Sequence, residues 1–347
     1  MSVHGPVSDA AWWAATAAND DVLAFQTPAW RDVMVEAGYR DATRAYDVSG
    51  AVHVLPLMVR RRAGVETAAS LPYGWGFGGP VGPRPSDVAA AEILADLGAL
   101  RHLRVSLRAQ PSLACILAAA APRRTVIVPR RAHILDLSGG FAEVWAHRFR
   151  STTRTCVRKA ERSGLEVEVD TTGALVGTYY ELYERSLLRW GGLSGEPGAV
   201  ARWRGMRRDP RSKVMAVAQH LGESCQVWVA RSGGVPAAAI IVVVQGTNAS
   251  YWRGAMDENV AGPTRANDLL HRLAIEAACE AGRTRYHMGD TGQSASLARF
   301  KAGFGAEPQD YTELRLERLP VTAVDERLRR LARRGIGGLR RGSRRPS

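Results

Sequence analysis

Lysine is nearly absent from this sequence. Among its 347 residues, 47 are lysine or arginine, and the lysines are Lys159, Lys213 and Lys301. Alanine and glycine are abundant as well, a pattern that indicates the compositional bias of a GC-rich genome. The arginine content by itself is therefore weak evidence for nucleic-acid binding.

Cysteine is also scarce, and the sequence has no long apolar run. The four cysteines, Cys115, Cys156, Cys225 and Cys279, lack the spacing of a disulfide framework or of a metal site. We expect reduced, mostly buried thiols in a cytoplasmic protein. The longest apolar run, 235–244, is about half of the ~18 residues that a membrane span needs. No spanning helix is predicted, and the N-terminus lacks the basic and apolar stretches of a secretory signal.

Several motifs that carry chemistry are missing. The sequence shows no zinc-ligand spacing, no P-loop, no nucleophile elbow and no catalytic Cys–His context. We therefore predict no metal site. The composition, with 46% hydrophobic and 23% charged residues, excludes a mainly disordered or collagen-like chain. At roughly 150 residues per domain, the length predicts about two domains.

The charge is unevenly distributed. The net charge is +13, and the segment 325–347 holds nine arginines against two acidic residues, so the rest of the chain carries +6. A net positive charge on the chain outside this segment favours polyanionic partners such as RNA, nucleotides or phosphorylated carriers. The C-terminal segment is either an extension that binds tRNA or an anionic membrane, or a disordered solubilising end.

The remaining patterns predict an α/β protein with two similar halves. Ser49–Val52 and Ser232–Val235 each form a hairpin turn before a long apolar strand. This similarity between the two halves indicates a duplicated α/β unit. The apolar run at 237–244 predicts a central strand covered on both faces. Strands are also predicted at 52–60 and 214–218. The sheet should be mixed, because hairpins pair strands antiparallel and helix crossovers separate others.

A connecting helix is predicted at 141–163, and it should end at Gly164. On this helix a basic stripe would serve either to bind phosphate or as a solvated face. The stripe consists of Arg150, Arg154, Arg158 and Arg162.

Five segments resemble Fem-type aminoacyltransferases and their relatives in the GNAT superfamily. RTCVRKAERSGLEV at 154–167 resembles the family's R…RKAEK-x-G-hydrophobic segment, and RFKAGFGA at 299–306 resembles its F-K-x-x-F-G segment. TRANDLLHRLAIEAACEAGRTRYHMGD at 264–290 resembles the helix and strand before the latter. TPAWRDVMVEAG at 27–38 and LPYGWGFGGPVG at 71–82 resemble the opening helix and the Gly-Pro loop.

This resemblance implies two tandem GNAT-like α/β domains with mixed, mainly antiparallel sheets flanked by helices. The expected domains are 1–140 and 165–320, joined by the basic helix at 141–164 and followed by a basic, disordered tail at 321–347. The resemblance also implies an enzyme that forms an amide bond. The amine would attack the bound ester or thioester directly, without a covalent enzyme intermediate.

The donor that the resemblance implies is aminoacyl-tRNA, with no further cofactor. Acetyl-CoA enzymes place a Gly-rich loop before the pyrophosphate-binding helix, so that backbone N–H groups meet the phosphates. The corresponding stretch here, AGPTRAN at 261–267, has one glycine and a proline that lacks an N–H. The sequence also lacks the long helical hairpin that some Fem-type enzymes use as a tRNA arm.

We therefore predict transfer of an aminoacyl group from tRNA to an amine of a peptidoglycan precursor or of a natural-product scaffold. One alternative is an acyl-CoA-dependent GNAT N-acetyltransferase with atypical CoA binding. The other is a non-catalytic module that binds tRNA or a membrane.

Lys301 and Asp290 are the candidate catalytic residues. The ammonium of Lys301 can stabilise the oxyanion of an aminoacyl ester or hold the phosphate of the tRNA 3′ end, unless it is a surface lysine. Asp290 ends a predicted strand, where it can position or deprotonate the acceptor amine, or cap a turn. His287, two residues earlier, is expected to be buried.

Further residues are candidates for binding the two substrates. The donor-binding candidates are Arg265, Asn267, Phe300, Phe304, Arg154 and Arg158. Phe300 and Phe304 have an alternative role as core residues whose packing orients the side chain of Lys301. The loop at 71–82, in which aromatic residues alternate with glycines, is either an acceptor-binding lip between the domains or a turn packed into the core. The acceptor-binding candidates are Tyr73, Trp75, Trp252 and Arg253.

Overall fold

The computed structural model describes residues 2–292, 294–325 and 327. The predicted roles of the basic tail therefore lie, beyond its first residues, outside the described part of the chain. The described strands are β1 (Ser2–His4), β2 (Arg40–Asp41), β3 (Arg44–Val48), β4 (Ala51–Leu55), β5 (Met58–Arg62), β6 (Val65–Ser70), β7 (Arg104–Leu107), β8 (Val126–Asp136), β9 (Leu165–Asp170), β10 (Cys225–Ser232), β11 (Val235–Gln245), β12 (Asn248–Met256), β13 (Arg285–Asp290) and β14 (Glu307–Glu317).

Helices alternate with these strands, and several begin at a capping side chain. Ser8, Thr27, Ser86 and Ser294 each accept a backbone N–H from the residue three positions on. None of the described helices combines the length and the apolar character that crossing a membrane requires. The described helices are α1 (Asp9–Ala17), α2 (Pro28–Glu36), α3 (Asp87–Ala99), α4 (Ala114–Ala119), α5 (Gly140–Glu143), α6 (Ser151–Glu161), α7 (Val176–Ser194), α8 (Gly198–Arg208), α9 (Arg211–Leu221), α10 (Glu258–Thr264), α11 (Ala266–Glu280) and α12 (Ala295–Gly303).

One large mixed sheet runs through both halves of the chain. Its strand order is β2-β5-β6-β7-β14-β8-β13-β12-β11-β10-β9, and a smaller sheet has the order β1-β3-β4. Most neighbours pair antiparallel, whereas β6 with β7 and β12 with β13 pair parallel. Each parallel pair is joined by a helical crossover, α3 in the first half and α10–α11 in the second. This repetition confirms the predicted mixed, GNAT-like α/β fold.

The two halves exchange a strand. β14, from the end of the chain, pairs with β7 of the first half, while β8, from the first half, pairs with β13 of the second. β14 and β8 also pair with each other over nine residue pairs, from Glu307↔Ile134 to Arg315↔Val126. The expected boundaries 1–140 and 165–320 stay a prediction, and both would cut through this sheet.

The central strand of the second half is covered on both faces, as predicted. Ile240 and Val242 of β11 belong to a cluster with Leu270 of α11, whereas Ile241 and Val243 belong to a cluster with Tyr179 of α7. All four β11 side chains are buried. Because successive strand residues point to opposite faces, an uninterrupted apolar run is what two covering helices require.

The predicted helix at 141–163 is not continuous. Phe149 and Arg150 are extended, and they separate a π-helical turn at 144–148 from α6. The Phe149 ring packs 5.2 Å from that of Phe304, and the Arg150 N–H donates to Gly303 O at 2.9 Å. These tertiary contacts replace the hydrogen bonds that a continuous helix would have made.

Two strand predictions and one expectation of burial are also wrong. The segment 214–218 lies inside α9, since a short apolar run has the same appearance in a strand and in a buried helix. The predicted strand 52–60 is two strands in different sheets, β4 and β5, divided at Pro56, which has no N–H to donate. Of the four cysteines, all free, only Cys225 is buried, and Cys115 is exposed.

We predict that the isolated fragment 165–320 does not fold cooperatively. It contains β13 and β14 but lacks β8, so the hydrogen-bonding edges that β8 satisfies would be open. Circular dichroism of the fragment during urea titration should show no sigmoidal transition, and the full chain should show one. A cooperative transition in the fragment would instead support an autonomous second domain.

Candidate active site

A cavity opens where β12 and β13 stop pairing. The two strands are in register only from Asn248↔Arg285 to Ser250↔His287. The following residues of both strands line a cavity of about 370 Å³, together with the Gly-rich loop of the first half and the end of α8. Its lining residues are Phe25, Tyr73, Gly74, Gly76, Phe77, Arg108, Trp190, Arg208, Asp209, Ser250, Tyr251, Trp252, Arg253, Gly254, His287, Met288, Gly289, Asp290, Leu297 and Lys301.

Lys301 reaches the cavity from α12 with its ammonium group buried. The side chain is 2% exposed, and Nζ donates to Gly289 O and Asp290 O, both at 2.9 Å, and to Thr291 Oγ1 at 3.3 Å. Burial lowers the pKa of Lys301 to about 8, although the carboxylate of Asp290 acts in the opposite direction. The ammonium therefore fixes the end of β13 and brings a positive charge to the cavity. It is not a surface lysine.

Asp290 joins the two halves of the protein. Its Oδ2 accepts from Arg108 Nη2 at 2.7 Å and from Tyr311 Oη at 2.9 Å, and its Oδ1 accepts the Gly292 N–H at 2.7 Å. Arg108 follows β7, Tyr311 lies in β14, and Asp290 ends β13. With donors on both oxygens, the carboxylate caps the turn at Gly292 and holds Arg108 against the cavity.

A buried carboxylate with three cationic neighbours forms another part of the cavity wall. Asp209, which follows α8, is 2% exposed and bonds to Lys213 Nζ at 2.7 Å, Arg253 Nη2 at 2.9 Å and Arg208 Nε at 3.0 Å. Burial opposes ionisation of Asp209, but the neighbouring charges of Arg253 and Lys213 outweigh it and hold its pKa well below the usual range. Burial lowers the pKa of Lys213 to about 8.

Aromatic rings surround this ionic cluster. Lys213 Nζ lies 3.8 Å from the centre of the Trp75 ring and 5.6 Å from that of Trp252. The guanidinium of Arg253 lies 4.7 Å from the Trp252 ring, and it also donates to Gly74 O. Cation–π contacts of this kind stabilise an ammonium in a site with little water.

The cavity lining carries an excess of positive charge. Arg108, Arg208, Arg253 and Lys301 contribute four cations, against the carboxylates of Asp209 and Asp290. His287 adds no charge near neutral pH, because burial lowers its pKa to about 3. As predicted, it is buried, and its Nε2 is 3.0 Å from Asn248 Oδ1. The site therefore suits a substrate that carries phosphate or carboxylate groups or that develops negative charge during reaction.

The segment after β12 is helical rather than a phosphate-binding loop. Residues 258–264 form α10, which includes Pro263, and Arg265 at φ +58° connects it directly to α11. The N–H groups of Val260 and Ala261 donate to Asp257 O inside this turn. Asp268 occupies the first turn of α11, where an acidic side chain competes with an incoming phosphate.

Three of the acceptor-binding candidates meet at the cavity. Tyr73 is 64% exposed, and its ring lies 4.9 Å from the guanidinium of Arg108. Trp252 and Arg253 line the cavity from β12. Trp75 instead is buried against Trp30 and Tyr39, so at this position the loop is packed into the core, as in the alternative prediction.

The donor-binding candidates lie away from the cavity lining. Arg154 Nη1 donates to the carbonyls of residues 145, 146 and 149, which closes the π-helical turn. Arg158 is exposed beside the Trp145 ring, and Arg265 and Asn267 lie at the α10–α11 junction. Phe300 and Phe304 pack on each other and on His271, an arrangement that supports α12. Binding of the donor by these residues stays a prediction.

Much of the charged network around the cavity was not predicted from the sequence. Two features of the sequence could have indicated Lys213. Lysine is rare in this arginine-rich chain, and Asp209 lies four positions before Lys213, at the spacing of an ion pair on a helix. Arg108 has no such feature, since its partner Asp290 is 182 residues away. Within 2–292, 294–325 and 327, no group of three or more His, Cys, Asp or Glu residues is placed to hold a metal ion.

The chain resembles known proteins in part of its sequence and in its fold. Residues 147–302 match a family model described as an acetyltransferase (GNAT) domain, and no curated protein matches the chain. The crystal structure of FemX superposes with a TM-score of 0.67 at 13% identity, over 91% of this chain and 97% of that chain.

Two further solved structures share this fold. One is the C-terminal DUF2156 domain described as that of a lysylphosphatidylglycerol synthetase from Agrobacterium fabrum, with a TM-score of 0.54, 15% identity and coverage of 91% and 95%. The other is L-PGS from Bacillus licheniformis, with a TM-score of 0.51, 14% identity and coverage of 86% and 95%.

We predict that Asp209→Asn strongly destabilises the protein. The substitution leaves three neighbouring cations without their shared buried counter-charge, which typically costs about 3–5 kcal/mol of unfolding free energy. Urea unfolding at pH 7 measures the change. Asp310→Asn is the matched control, because Asp310 pairs with Arg131 at the exposed surface and its loss should have little effect. Equal stabilities of the two variants would contradict the prediction.

Proposed function

We propose that this protein, whose fold is similar to that of FemX, is an acyltransferase that transfers an aminoacyl group from aminoacyl-tRNA to an amine. The acceptor would be a peptidoglycan precursor or a natural-product scaffold. The observation that carries the proposal is the helix α10, which occupies the position of a pyrophosphate-binding loop. A donor that needs no pyrophosphate cradle is therefore favoured over acyl-CoA.

The backbone after β12 supports this choice of donor. A pyrophosphate is bound by several free N–H groups at a helix N-terminus. Here Val260 and Ala261 already donate within α10, and Pro263 has no N–H. The exposed Arg265 lies at the junction with α11 and can contact a phosphate of the tRNA acceptor end as a single charge.

The reaction would be a direct aminolysis of the aminoacyl ester. The acceptor nitrogen attacks the ester carbonyl, a C–N bond forms, and the carbonyl oxygen becomes an oxyanion. The C–O bond to the terminal ribose then breaks, and the ribose hydroxyl leaves with the proton that the amine gives up. No oxidant, metal or enzyme nucleophile is required for this balance.

Lys301 would stabilise the oxyanion. Its three protons are already shared with two carbonyl oxygens and one hydroxyl, so it would act through its fixed positive charge and not by donating a hydrogen bond to the oxyanion. A preorganised charge in a site with little water stabilises developing negative charge more than a mobile one does. Asp290 would act by positioning Arg108 and Tyr311.

The acceptor would bind between the two halves. Tyr73 stacks over Arg108 on one side, and Trp252 with Arg253 lies on the other. Rings or sugars can pack on these aromatic side chains, and the excess of cations suits an acceptor that carries carboxylate or phosphate groups. A cytoplasmic location would follow from the donor, because charged tRNA is a cytoplasmic substrate.

The donor is tested with the full chain by calorimetric titration, once with acetyl-CoA and once with a bulk aminoacyl-tRNA pool, at two salt concentrations. We expect binding to charged tRNA that weakens with salt, and no binding to acetyl-CoA. Amide formation with an acceptor panel should then disappear after RNase treatment. Binding to acetyl-CoA alone would favour the N-acetyltransferase, and tRNA binding without turnover would favour a non-catalytic module.

We predict that Lys301→Ala lowers kcat by about 10²–10³-fold with a verified donor and acceptor pair, since the charge acts on the transition state. KM should change little by comparison. Lys159→Ala is the matched control, because Lys159 is exposed on α6, and its rate should equal that of the wild type. Full activity of a folded Lys301→Ala variant would remove Lys301 from the mechanism.

A further inference from the structure

A buried chain of hydrogen bonds leads from Lys301 away from the cavity. Lys301 Nζ donates to Thr291 Oγ1 at 3.3 Å, and that oxygen lies 2.6 Å from Nδ1 of His133. All three side chains are buried. Lys301 lines the cavity, whereas Thr291, directly after β13, and His133, within β8, are outside its lining. These three side chains form a relay that connects the candidate active site to the strand next to it.

A β-bulge in β13 builds this arrangement. Over the stretch 287–290, β13 has one residue more than the facing stretch 132–134 of β8. Gly289 adopts φ +73° within the bulge, and its carbonyl accepts from Lys301 Nζ at 2.9 Å. Thr291 comes next, and its N–H donates to the β8 backbone at 3.0 Å. The bulge therefore fixes both a carbonyl and a hydroxyl beside the ammonium.

The proton positions in the relay follow from the chemistry of its members. An ammonium group has no lone pair, so the bond between Lys301 and Thr291 uses a proton of Lys301. The hydroxyl proton of Thr291 is then free to point to His133, where Nδ1 accepts it and the ring proton is on Nε2. Burial, together with the charges of Lys301 and Arg131, lowers the pKa of His133 and keeps its ring neutral near pH 7.

The relay matters because neutral acceptors hold the ammonium of Lys301. They are two carbonyl oxygens and the Thr291 hydroxyl, whereas Lys213, the other buried lysine, bonds to a carboxylate at 2.7 Å. Burial lowers the pKa of Lys301 to about 8, and the charge of Asp290 opposes this effect. His271 on α11 adds no second cation, because burial and the charge of Lys301 lower its pKa to about 3.

We propose that Thr291 and His133 are positioning residues that hold Lys301 as an ammonium ion in the candidate active site. By accepting the hydroxyl proton, His133 polarises Thr291, and a polarised oxygen is a better acceptor for the ammonium. The consequence for catalysis rests on the proposed function, in which the charge of Lys301 stabilises an oxyanion.

The scarcity of lysine makes a direct test possible. With lysine labelled with ¹³C at Cε, the full chain gives three lysine signals by NMR, which Lys159→Arg and Lys301→Arg assign. Their pH titration needs no substrate. Thr291→Val removes the hydroxyl at similar volume, and His133→Leu removes the accepting nitrogen. In both variants the acid dissociation constant of Lys301 should rise about three- to tenfold, so that its charge is lost at lower pH.

Conservative variants separate the relay from packing. Thr291→Ser keeps the hydroxyl, and His133→Asn keeps an acceptor close to the position of Nδ1, so in both Lys301 should titrate as in the wild type. The Lys213 signal is the internal control and should titrate alike in all variants, and thermal unfolding verifies that each is folded. An unchanged Lys301 titration in Thr291→Val and His133→Leu would overturn the proposal. Equal changes in His133→Leu and His133→Asn would also overturn it, because packing would then be responsible.

Kinetics with a verified donor and acceptor pair distinguish this proposal from the proposed function. If the charge of Lys301 acts on the oxyanion, the alkaline fall of kcat in Thr291→Val should move to lower pH together with the NMR midpoint. KM should change little by comparison. NMR midpoints that move without a matching change in kcat would support the relay and contradict the catalytic role of Lys301.

Discussion

The pairing of β14 with both β7 and β8 holds the two halves in one sheet, and the candidate site depends on it. Tyr311 lies within β14, Arg108 follows β7, and Asp290 ends β13 on the far side of β8. Only this strand order brings the three side chains within hydrogen-bonding distance. The cavity is therefore a product of the exchange between halves, since each half supplies one of its walls.

Much of the second half was predictable because its signals are local. The apolar run in β11 reflects the helices that cover both of its faces, and the hairpin at Ser232 follows turn chemistry. The predictions were wrong where contacts between residues far apart in the sequence determine the local structure. The helix at 141–163 breaks because Phe149 packs on Phe304, and no feature within the segment indicates that contact. The strand exchange is equally invisible to local patterns.

The site residues also differ in whether a local sequence signal indicates them. Lys301 and Asp290 were found through a motif. Lys213 and Asp209 were not predicted, although the rarity of lysine in the chain is a signal that points to Lys213. Both buried lysines have aromatic rings or carbonyl oxygens around the ammonium, environments that a compact cation fills and a planar guanidinium does not. The predicted arginines on α6 instead close a helical turn or remain exposed.

The exchanged strands also determine when the chain can fold during synthesis. Residue pairs such as Arg130 with Tyr311 are separated by 181 positions, a long-range contact that slows folding. While the ribosome is still translating the second half, β7 and β8 have emerged without the strand that lies between them. The nascent first half thus exposes two unpaired strand edges until the last strand is released, a state that invites chaperone binding or association between nascent chains.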